Sequence, residues 1–140
     1  MCGIVGIWDS RGTRHFDGGV LARMNESQHH RGPDETGIHL APGIAFGHKR
    51  LSIIDLKTGQ QPLFNEDGSV AVVFNGEIYN YQELVPELEA LGHVFHTRSD
   101  TEVILALYEK LGVDAFARLN GMFALAIWDR DRDEVVLARD

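Results

Sequence analysis

The sequence contains one cysteine and no block of basic residues, and each of these features limits the range of functions to be considered. With Cys2 as the sole cysteine among 140 residues, no intramolecular disulfide can form, and we expect a reducing, cytoplasmic location. The 13 Lys and Arg residues are outnumbered by 21 Asp and Glu residues, which gives a formal net charge of −8. Such a surface repels nucleic acid and anionic membranes, so we expect neither as a partner.

Long apolar runs and metal-binding patterns are also missing. The longest apolar stretch, 122–128, is too short to span a bilayer, and the N-terminus lacks the regions of a signal peptide. The seven histidines do not show metal-ligand spacing, and no glycine-rich loop matches a phosphate cradle. We therefore expect these residues to bind neither a metal ion nor ATP.

The sequence is rich in short strand-like segments, with helical segments grouped between them. Apolar and β-branched runs predict strands at 3–8, 36–40, 44–48, 51–55, 70–74, 122–128 and 134–138. Helical spacing predicts helices at 19–30, 81–91, 101–111 and 113–119. Ser99 and Glu102 have the spacing of a capping box at the start of the third helix. Strands in runs with grouped helices favour an α+β fold with mostly antiparallel sheet.

Cys2 is the first candidate for chemistry. A lone cysteine is most often a small buried apolar residue at the end of a strand. A methionine before a small residue is commonly removed, however, and its removal would leave Cys2 with a free α-amine. An α-amine titrates at roughly pH 7.7–8.0, so one residue would then carry both a sulfur nucleophile and a proton acceptor. This interpretation requires an oxyanion hole and a substrate pocket elsewhere in the chain.

Asn75 and Gly76 follow the clearest strand pattern, VAVVF at 70–74. An Asn-Gly pair is a strong hairpin signal, but the residues after it lead into a helical pattern instead of a second strand. An amide side chain beside an unhindered backbone N–H also suits an oxyanion hole, where two donors stabilise developing charge. The local sequence favours the two interpretations equally.

Arg50 and Asp100 are candidates for binding a charged ligand. Arg50 lies between strand-like residues. It is either a solvated surface arginine or a planar guanidinium that binds a substrate carboxylate through two hydrogen bonds. Asp100 precedes the helix predicted at 101–111. It either caps that helix or accepts hydrogen bonds from a substrate ammonium group.

Six segments in this order carry a family resemblance. They are MCGIVGIW (1–8), HRGPDETG (30–37), GHKRLSIID (47–55), FNGEIYN (74–80), SDTEVI (99–104) and GMFALAIWD (121–129). Together they closely resemble the N-terminal glutaminase domain of glutamine-dependent asparagine synthetases, which is a class II glutamine amidotransferase. The resemblance covers essentially the whole chain. It implies the N-terminal nucleophile hydrolase fold, a four-layer αββα sandwich of mostly antiparallel sheets.

The resemblance also implies a role for each matching residue. Cys2 matches the nucleophile, and Asn75 and Gly76 match the donors of the oxyanion hole. Arg50 matches the residue that binds the glutamine carboxylate, and Glu77 and Asp100 match the groups that hold its α-amine. The remaining implied pocket residues are Leu51, Ser52, Ile53 and Ile54. The loop at 31–34 matches a segment near the site, and we assign it no chemistry.

The implied activity is hydrolysis of glutamine to glutamate and ammonia through a cysteine thioester. The ammonia would serve ATP-dependent synthesis of asparagine from aspartate. Residues 1–140 would then form a partial domain, with its closing strands and the synthetase domain beyond them. ATP and Mg²⁺ are expected only in that synthetase domain, and glutamine, the synthetase domain and a second copy of the chain are the expected partners. Two alternatives stay open: an amidotransferase that acts on another carboxylate, and a non-catalytic docking module.

Overall fold

Two antiparallel sheets stack face to face in the computed structural model, which describes residues 1–55 and 57–140. The three-stranded sheet has the order β1-β3-β2, with β1 at Gly3–Trp8, β2 at Glu35–Ala41 and β3 at Ile44–Arg50. The four-stranded sheet has the order β4-β5-β6-β7. Its strands are β4 (Leu63–Phe64), β5 (Val70–Ile78), β6 (Gly121–Asp129) and β7 (Glu134–Arg139).

Three α-helices among the described residues lie on the outer sides of the two-sheet stack. They are α1 (Gly18–Glu26), α2 (Tyr81–Ala90) and α3 (Asp100–Leu111), with 3₁₀ turns at His29–Arg31 and Gly112–Arg118. Helix α1 packs on the three-stranded sheet, α3 packs on the four-stranded sheet, and α2 packs on α3. The side chains buried between the sheets include Ile44, Phe46, Ala71, Val73, Ala126 and Trp128. The predicted α+β fold with four αββα layers is confirmed.

Burial explains why the strand patterns differ. Strands β3 and β5 lie inside their sheets with both faces covered, so β3 is buried along its whole length, like the VAVVF run of β5. Strand β2 lies at an edge and alternates between half-buried and exposed residues. Among the residues that the structure describes, no helix is both long enough and apolar enough to cross a membrane.

The strand predicted at 51–55 is wrong. The backbone there bonds to side chains instead of a neighbouring strand: Leu51 N–H donates to Cys2 Sγ, and Ser52 N–H donates to Asp34 Oδ2 at 2.8 Å. Further along the segment, the guanidinium of Arg50 donates to the carbonyl of Ile54 at 3.0 Å. The apolar and β-branched residues of this segment cannot reveal that its backbone groups have side-chain partners.

Two predicted helix details also need correction. The helix predicted at 19–30 ends at Glu26, and a separate 3₁₀ turn at His29–Arg31 follows it. The capping box at α3 is half formed. Ser99 Oγ accepts from Thr101 N–H at 3.0 Å, but Glu102 bonds further back, to the backbone N–H groups of His96 at 2.9 Å and Thr97 at 2.6 Å.

His48 connects the two sheets through the core. Its side chain is 1% exposed, and its Nε2 lies 3.1 Å from the carbonyl oxygen of Phe74 on β5. Burial lowers the pKa of His48 to about 4. The ring is therefore neutral at pH 7, and Nε2–H donates to Phe74.

Acid is expected to destabilise the protein through His48. The unfolded chain binds a proton near the ordinary pKa of 6.5, whereas the native chain binds it only near pH 4. The free energy of unfolding should therefore fall by about 3 kcal/mol between these two pH values. Urea titrations at a series of pH values would measure this loss, which the variant His48→Gln should lack. The exposed His15→Gln is the matched control, and equal pH slopes in the two variants would contradict the prediction.

Candidate functional site

An open cavity of about 120 Å³ lies where the N-terminus, the segment after β3, the end of β5 and the start of α3 meet. The predicted site residues that line it are Cys2, Arg50, Leu51, Ile53, Ile54, Gly76, Glu77 and Asp100. The lining also includes Met1, Gly59, Gln61, Phe74, Ser99, Thr101 and Met122. Ser52 and Asn75 are absent from the lining formed by the described part of the chain. The fold thus gathers eight of the ten predicted site residues, which are spread between positions 2 and 100.

Strand pairing and two further contacts place Cys2 in the cavity. Gly3 pairs with Lys49 in the β1–β3 ladder, so Cys2 lies beside the residues that follow β3. Leu51 N–H donates to Cys2 Sγ at 3.4 Å. The Nε–H of Arg31 donates to the Cys2 carbonyl at 2.9 Å. The sulfur is therefore held at the cavity wall and is not packed into the core.

Arg50 is a buried and anchored cation. Its side chain is 4% exposed, and its Nη1 donates to Glu35 Oε2 at 2.8 Å. Its Nη2 donates to the carbonyl oxygens of Ile54 and Asp55. A guanidinium has five N–H donors, so the contacts described here leave two of them for a ligand. The interpretation of Arg50 as a solvated surface residue is wrong.

Asn75 and Gly76 do not form a turn, because β5 continues through them to Ile78. The pairing with β6 is unbroken and places Gly76 opposite Phe123. A Cβ at residue 76 would overlap the backbone of β6, which explains the glycine. The amide oxygen of Asn75 is buried, with no hydrogen-bond partner in the part of the chain that the structure describes.

The backbone N–H of Gly76 points away from β6. In an antiparallel ladder the N–H groups of alternate residues point to the same side. Two residues before Gly76, Phe74 N–H donates to Gln61 Oε1, and two residues after it, Ile78 N–H donates to Asp100 Oδ2. Gly76 N–H lies between them and has the same direction. Gly76 lines the cavity, so this donor suits a ligand oxygen.

Asp100 and Glu77 place two carboxyl groups at the cavity. Asp100 is 4% exposed, and burial raises its pKa above the ordinary value. The negative charge of Glu77 raises the pKa of Asp100 further, whereas the hydrogen bond from Ile78 N–H lowers it. A cationic ligand group between the two carboxylates would offset the repulsion. The cavity thus presents a guanidinium and a pair of carboxyl groups, which complement an amino-acid zwitterion.

Several residues that support the site were given no chemical role in the sequence interpretation. Arg31 and Asp34, from the RGPD segment, bond to the backbones of Cys2 and Ser52. Gln61 connects β5 with α3. The RGPD segment is a recognisable motif in the sequence, whereas a buried glutamine beside a proline has no distinctive sequence pattern. Among the described residues, no group of three or more His, Cys, Asp and Glu side chains is arranged to hold a metal ion.

The geometry agrees with comparisons against known proteins. The glutamine amidotransferase domain family matches residues 1–140. The chain belongs to this family. The amidotransferase domain is 44% identical over 142 residues to asparagine synthetase [glutamine-hydrolyzing] 2 of Bacillus subtilis. It has the same identity to asparagine synthetase [glutamine-hydrolyzing] 1 of that organism.

The relatives are much longer than this chain. Each alignment covers 100% of the amidotransferase domain but only 19% and 22% of the two synthetases. Glutamine phosphoribosylpyrophosphate amidotransferase of B. subtilis superimposes with a TM-score of 0.73 over 98% of the domain and 37% of that chain. Its sequence identity is 24%, so this likeness concerns the fold. It confirms the predicted fold of the N-terminal nucleophile hydrolases.

Proposed function

We propose that the domain hydrolyses the side-chain amide of glutamine to glutamate and ammonia, with Cys2 as the nucleophile. One observation carries this proposal: a single cavity contains the Cys2 residue, the outward N–H of Gly76, and binding groups of both charges. Removal of Met1 is part of the proposal, because only then does Cys2 have a free α-amine to accept its proton. Met1 lines the same cavity, so its removal also enlarges the space for a ligand.

The charges in the cavity suggest one orientation for glutamine. The α-carboxylate would bind the two remaining donors of Arg50, and the α-ammonium would lie between Glu77 and Asp100. The side chains of Ile53 and Ile54 would contact the methylene groups. In this orientation the side-chain amide of glutamine would extend toward Cys2 and Gly76, which line the same cavity.

The reaction would proceed in two stages. Cys2 Sγ forms a bond to the amide carbon, and the thiol proton passes to the Cys2 α-amine. Gly76 N–H stabilises the oxyanion, and loss of one such donor typically costs roughly 10²–10³ in rate. The side-chain amide of Asn75 is the proposed second donor and would have to turn toward the cavity, because Asn75 is not part of the described lining. The α-amine returns the proton to the leaving nitrogen, and the C–N bond breaks to release ammonia. Water then hydrolyses the γ-glutamyl thioester to glutamate and restores the thiol.

The wider role in the proposal is to supply ammonia for ATP-dependent synthesis of asparagine from aspartate. The support is the 44% identity to two B. subtilis proteins named as glutamine-hydrolyzing asparagine synthetases. A synthetase domain that binds ATP and Mg²⁺ is the proposed partner. A cytoplasmic location and a homodimer stay predictions. An acceptor with a different carboxylate is the alternative to aspartate.

One experiment tests the glutaminase proposal and the docking-module alternative together. The intact mass of the purified protein would show whether one methionine is missing. Labelling with a glutamine-like electrophile, followed by peptide mapping, would show whether Cys2 reacts. Loss of Met1 with stoichiometric Cys2 labelling and release of glutamate from glutamine supports the proposal. An unlabelled protein that retains Met1 and releases no glutamate supports the docking module.

Replacement of Arg50 should raise the KM for glutamine. A hydrogen bond to a charged group contributes roughly 1.5–3 kcal/mol, so Arg50→Ala should raise KM by about 10- to 100-fold. Arg50→Lys should recover part of this effect, because it keeps a charge but lacks the planar fork. Steady-state kinetics would measure both, with the exposed Arg11→Ala as control. A KM close to wild type in Arg50→Ala would show that another group binds the carboxylate.

A further inference from the structure

Gln61 lies at the junction of the two elements that carry the candidate site. It is 8% exposed, lines the cavity, and comes two residues before β4. Its side-chain amide makes one hydrogen bond to β5 and one to α3. A buried side-chain amide whose oxygen accepts one hydrogen bond and whose nitrogen donates another holds the two elements in one defined arrangement.

On the β5 side, the side chain of Gln61 takes the place of a backbone strand. Strand β4 pairs with β5 only through Leu63 with Val72 and Phe64 with Ala71. Continuation of this register would place residue 61 opposite Phe74. Instead, Gln61 Oε1 accepts the N–H of Phe74 at 2.6 Å. The side-chain amide thus continues the hydrogen bonding of the sheet to within two residues of Gly76.

On the α3 side, Gln61 reaches the first turn of the helix. Its Nε2 donates to Thr101 Oγ1 at 3.4 Å, and Thr101 is 2% exposed. Thr101 directly follows Asp100, whose carboxylate accepts the N–H of Ile78 at 3.0 Å. The N-terminus of α3 is therefore bonded to β5 on both sides of Gly76 and Glu77, once through Gln61 and once through Asp100.

We propose that Gln61 is a positioning residue of the glutamine site. It orients Gly76 N–H through Phe74 and places Asp100 through Thr101, so that the oxyanion donor and the ammonium-binding carboxylate keep a constant separation. This inference rests on the proposed glutaminase function, because it assigns those two roles to Gly76 and Asp100. It adds a residue that acts without contact with the reacting atoms.

Two substitutions separate the two hydrogen bonds of Gln61. Gln61→Met fills a similar volume without an amide, so it loses both bonds and should lower kcat by about 10- to 100-fold while raising KM. Thr101→Val loses only the bond to α3, so it should raise KM by about 3- to 10-fold with kcat within twofold of wild type. The matched control is Gln60→Met, because Gln60 is exposed and lies outside the cavity lining that the structure describes.

Each rate is divided by the concentration of Cys2 that the glutamine-like electrophile can label. Unfolded protein therefore does not affect the comparison. A purely structural Gln61 would change the labelled fraction and leave KM and the rate per labelled site unchanged. Either that result or kinetics of Gln61→Met equal to those of Gln60→Met would overturn the proposal. A wild-type protein that releases no glutamate would overturn the glutaminase function itself, and the proposal with it.

Amide hydrogen exchange gives a second readout that does not depend on turnover. The N–H of Phe74 donates to the Gln61 side chain, so NMR should detect faster exchange at Phe74 in Gln61→Met. Gln60→Met and Thr101→Val should leave this exchange rate close to wild type. Unchanged protection of Phe74 in Gln61→Met would show that another group holds this part of β5 and would overturn the proposal.

Discussion

Cys2→Ala is expected to abolish glutamine hydrolysis, lowering kcat by about 10⁴-fold or more, because no other group in the cavity can form the thioester. The fold should be retained. Cys2 is half-buried, and among the described residues its sulfur is hydrogen-bonded to the backbone of Leu51. We expect a change of less than about 1 kcal/mol in the free energy of unfolding, since sulfur hydrogen bonds are weak. Glutamate release and urea unfolding would measure the two quantities.

Cys2→Ser is the sharper control for the nucleophile. It changes one atom and keeps the free α-amine, but a hydroxyl is a far poorer nucleophile at the basicity of that amine. We expect it to be nearly as inactive as Cys2→Ala. A second control keeps the cysteine and blocks the amine with an uncleaved N-terminal extension. Normal turnover by the alanine variant would end the nucleophile proposal, and normal turnover by the extended protein would end the role of the amine.

Asp100→Asn is expected to weaken glutamine binding and to stabilise the fold. The variant loses a charge-assisted contact with the substrate ammonium, so KM should rise by about 10- to 100-fold. The asparagine carbonyl can still accept the N–H of Ile78. Because burial raises the pKa of Asp100, ionisation of this group costs the native state free energy at neutral pH. Removal of the charge should therefore increase the free energy of unfolding.

The pH dependence of the KM and of the stability tests the same role for the charge of Asp100. With a pKa above the ordinary 3.8, Asp100 becomes neutral at a higher pH than an exposed aspartate does. The KM for glutamine should rise as the pH falls through this range, and Asp100→Asn should lack the rise. The native state binds the proton more readily than the unfolded chain, so Asp100 lowers stability above this range and not below it. The stability advantage of Asp100→Asn should therefore disappear in acid.

The exposed Asp114→Asn is the matched control for Asp100→Asn, because it removes the same charge at a residue outside the described lining of the site cavity. It should change neither the KM for glutamine nor its pH dependence. If Asp100→Asn loses stability and keeps a wild-type KM, the residue has a structural role, joining α3 to β5 through the N–H of Ile78, and is not a binding group. The sequence interpretation of Asp100 as a helix cap is wrong in either case, because Ser99 is the N-cap and Asp100 lies inside α3.

The strands and helices were largely predictable because their signals are local. The strand Gly3–Trp8 and the hairpin of β6 and β7 follow from runs of apolar and β-branched residues and from a polar turn. The segment 51–55 has the same local pattern and is not a strand. Its backbone bonds instead to side chains as distant as Asp34 and Cys2. The local residue pattern contains no information about hydrogen-bond partners distant in the chain. It therefore could not distinguish the true strands from the segment 51–55.

The sequence by itself determined the chemical groups of the candidate site, because residue identity and motif order specify a thiol, a guanidinium and two carboxylates. Only the tertiary structure decided their arrangement. It extended β5 through Asn75 and Gly76, anchored Arg50 on Glu35, and used Gln61 to join β5 to α3. The reason is that each of these outcomes depends on contacts between residues far apart in the chain. Strand β5 pairs with β6, and the side-chain hydrogen bonds join residues 13 (Phe74 with Gln61), 15 (Arg50 with Glu35) and 40 positions apart (Gln61 with Thr101). No local pattern encodes which of these groups meet.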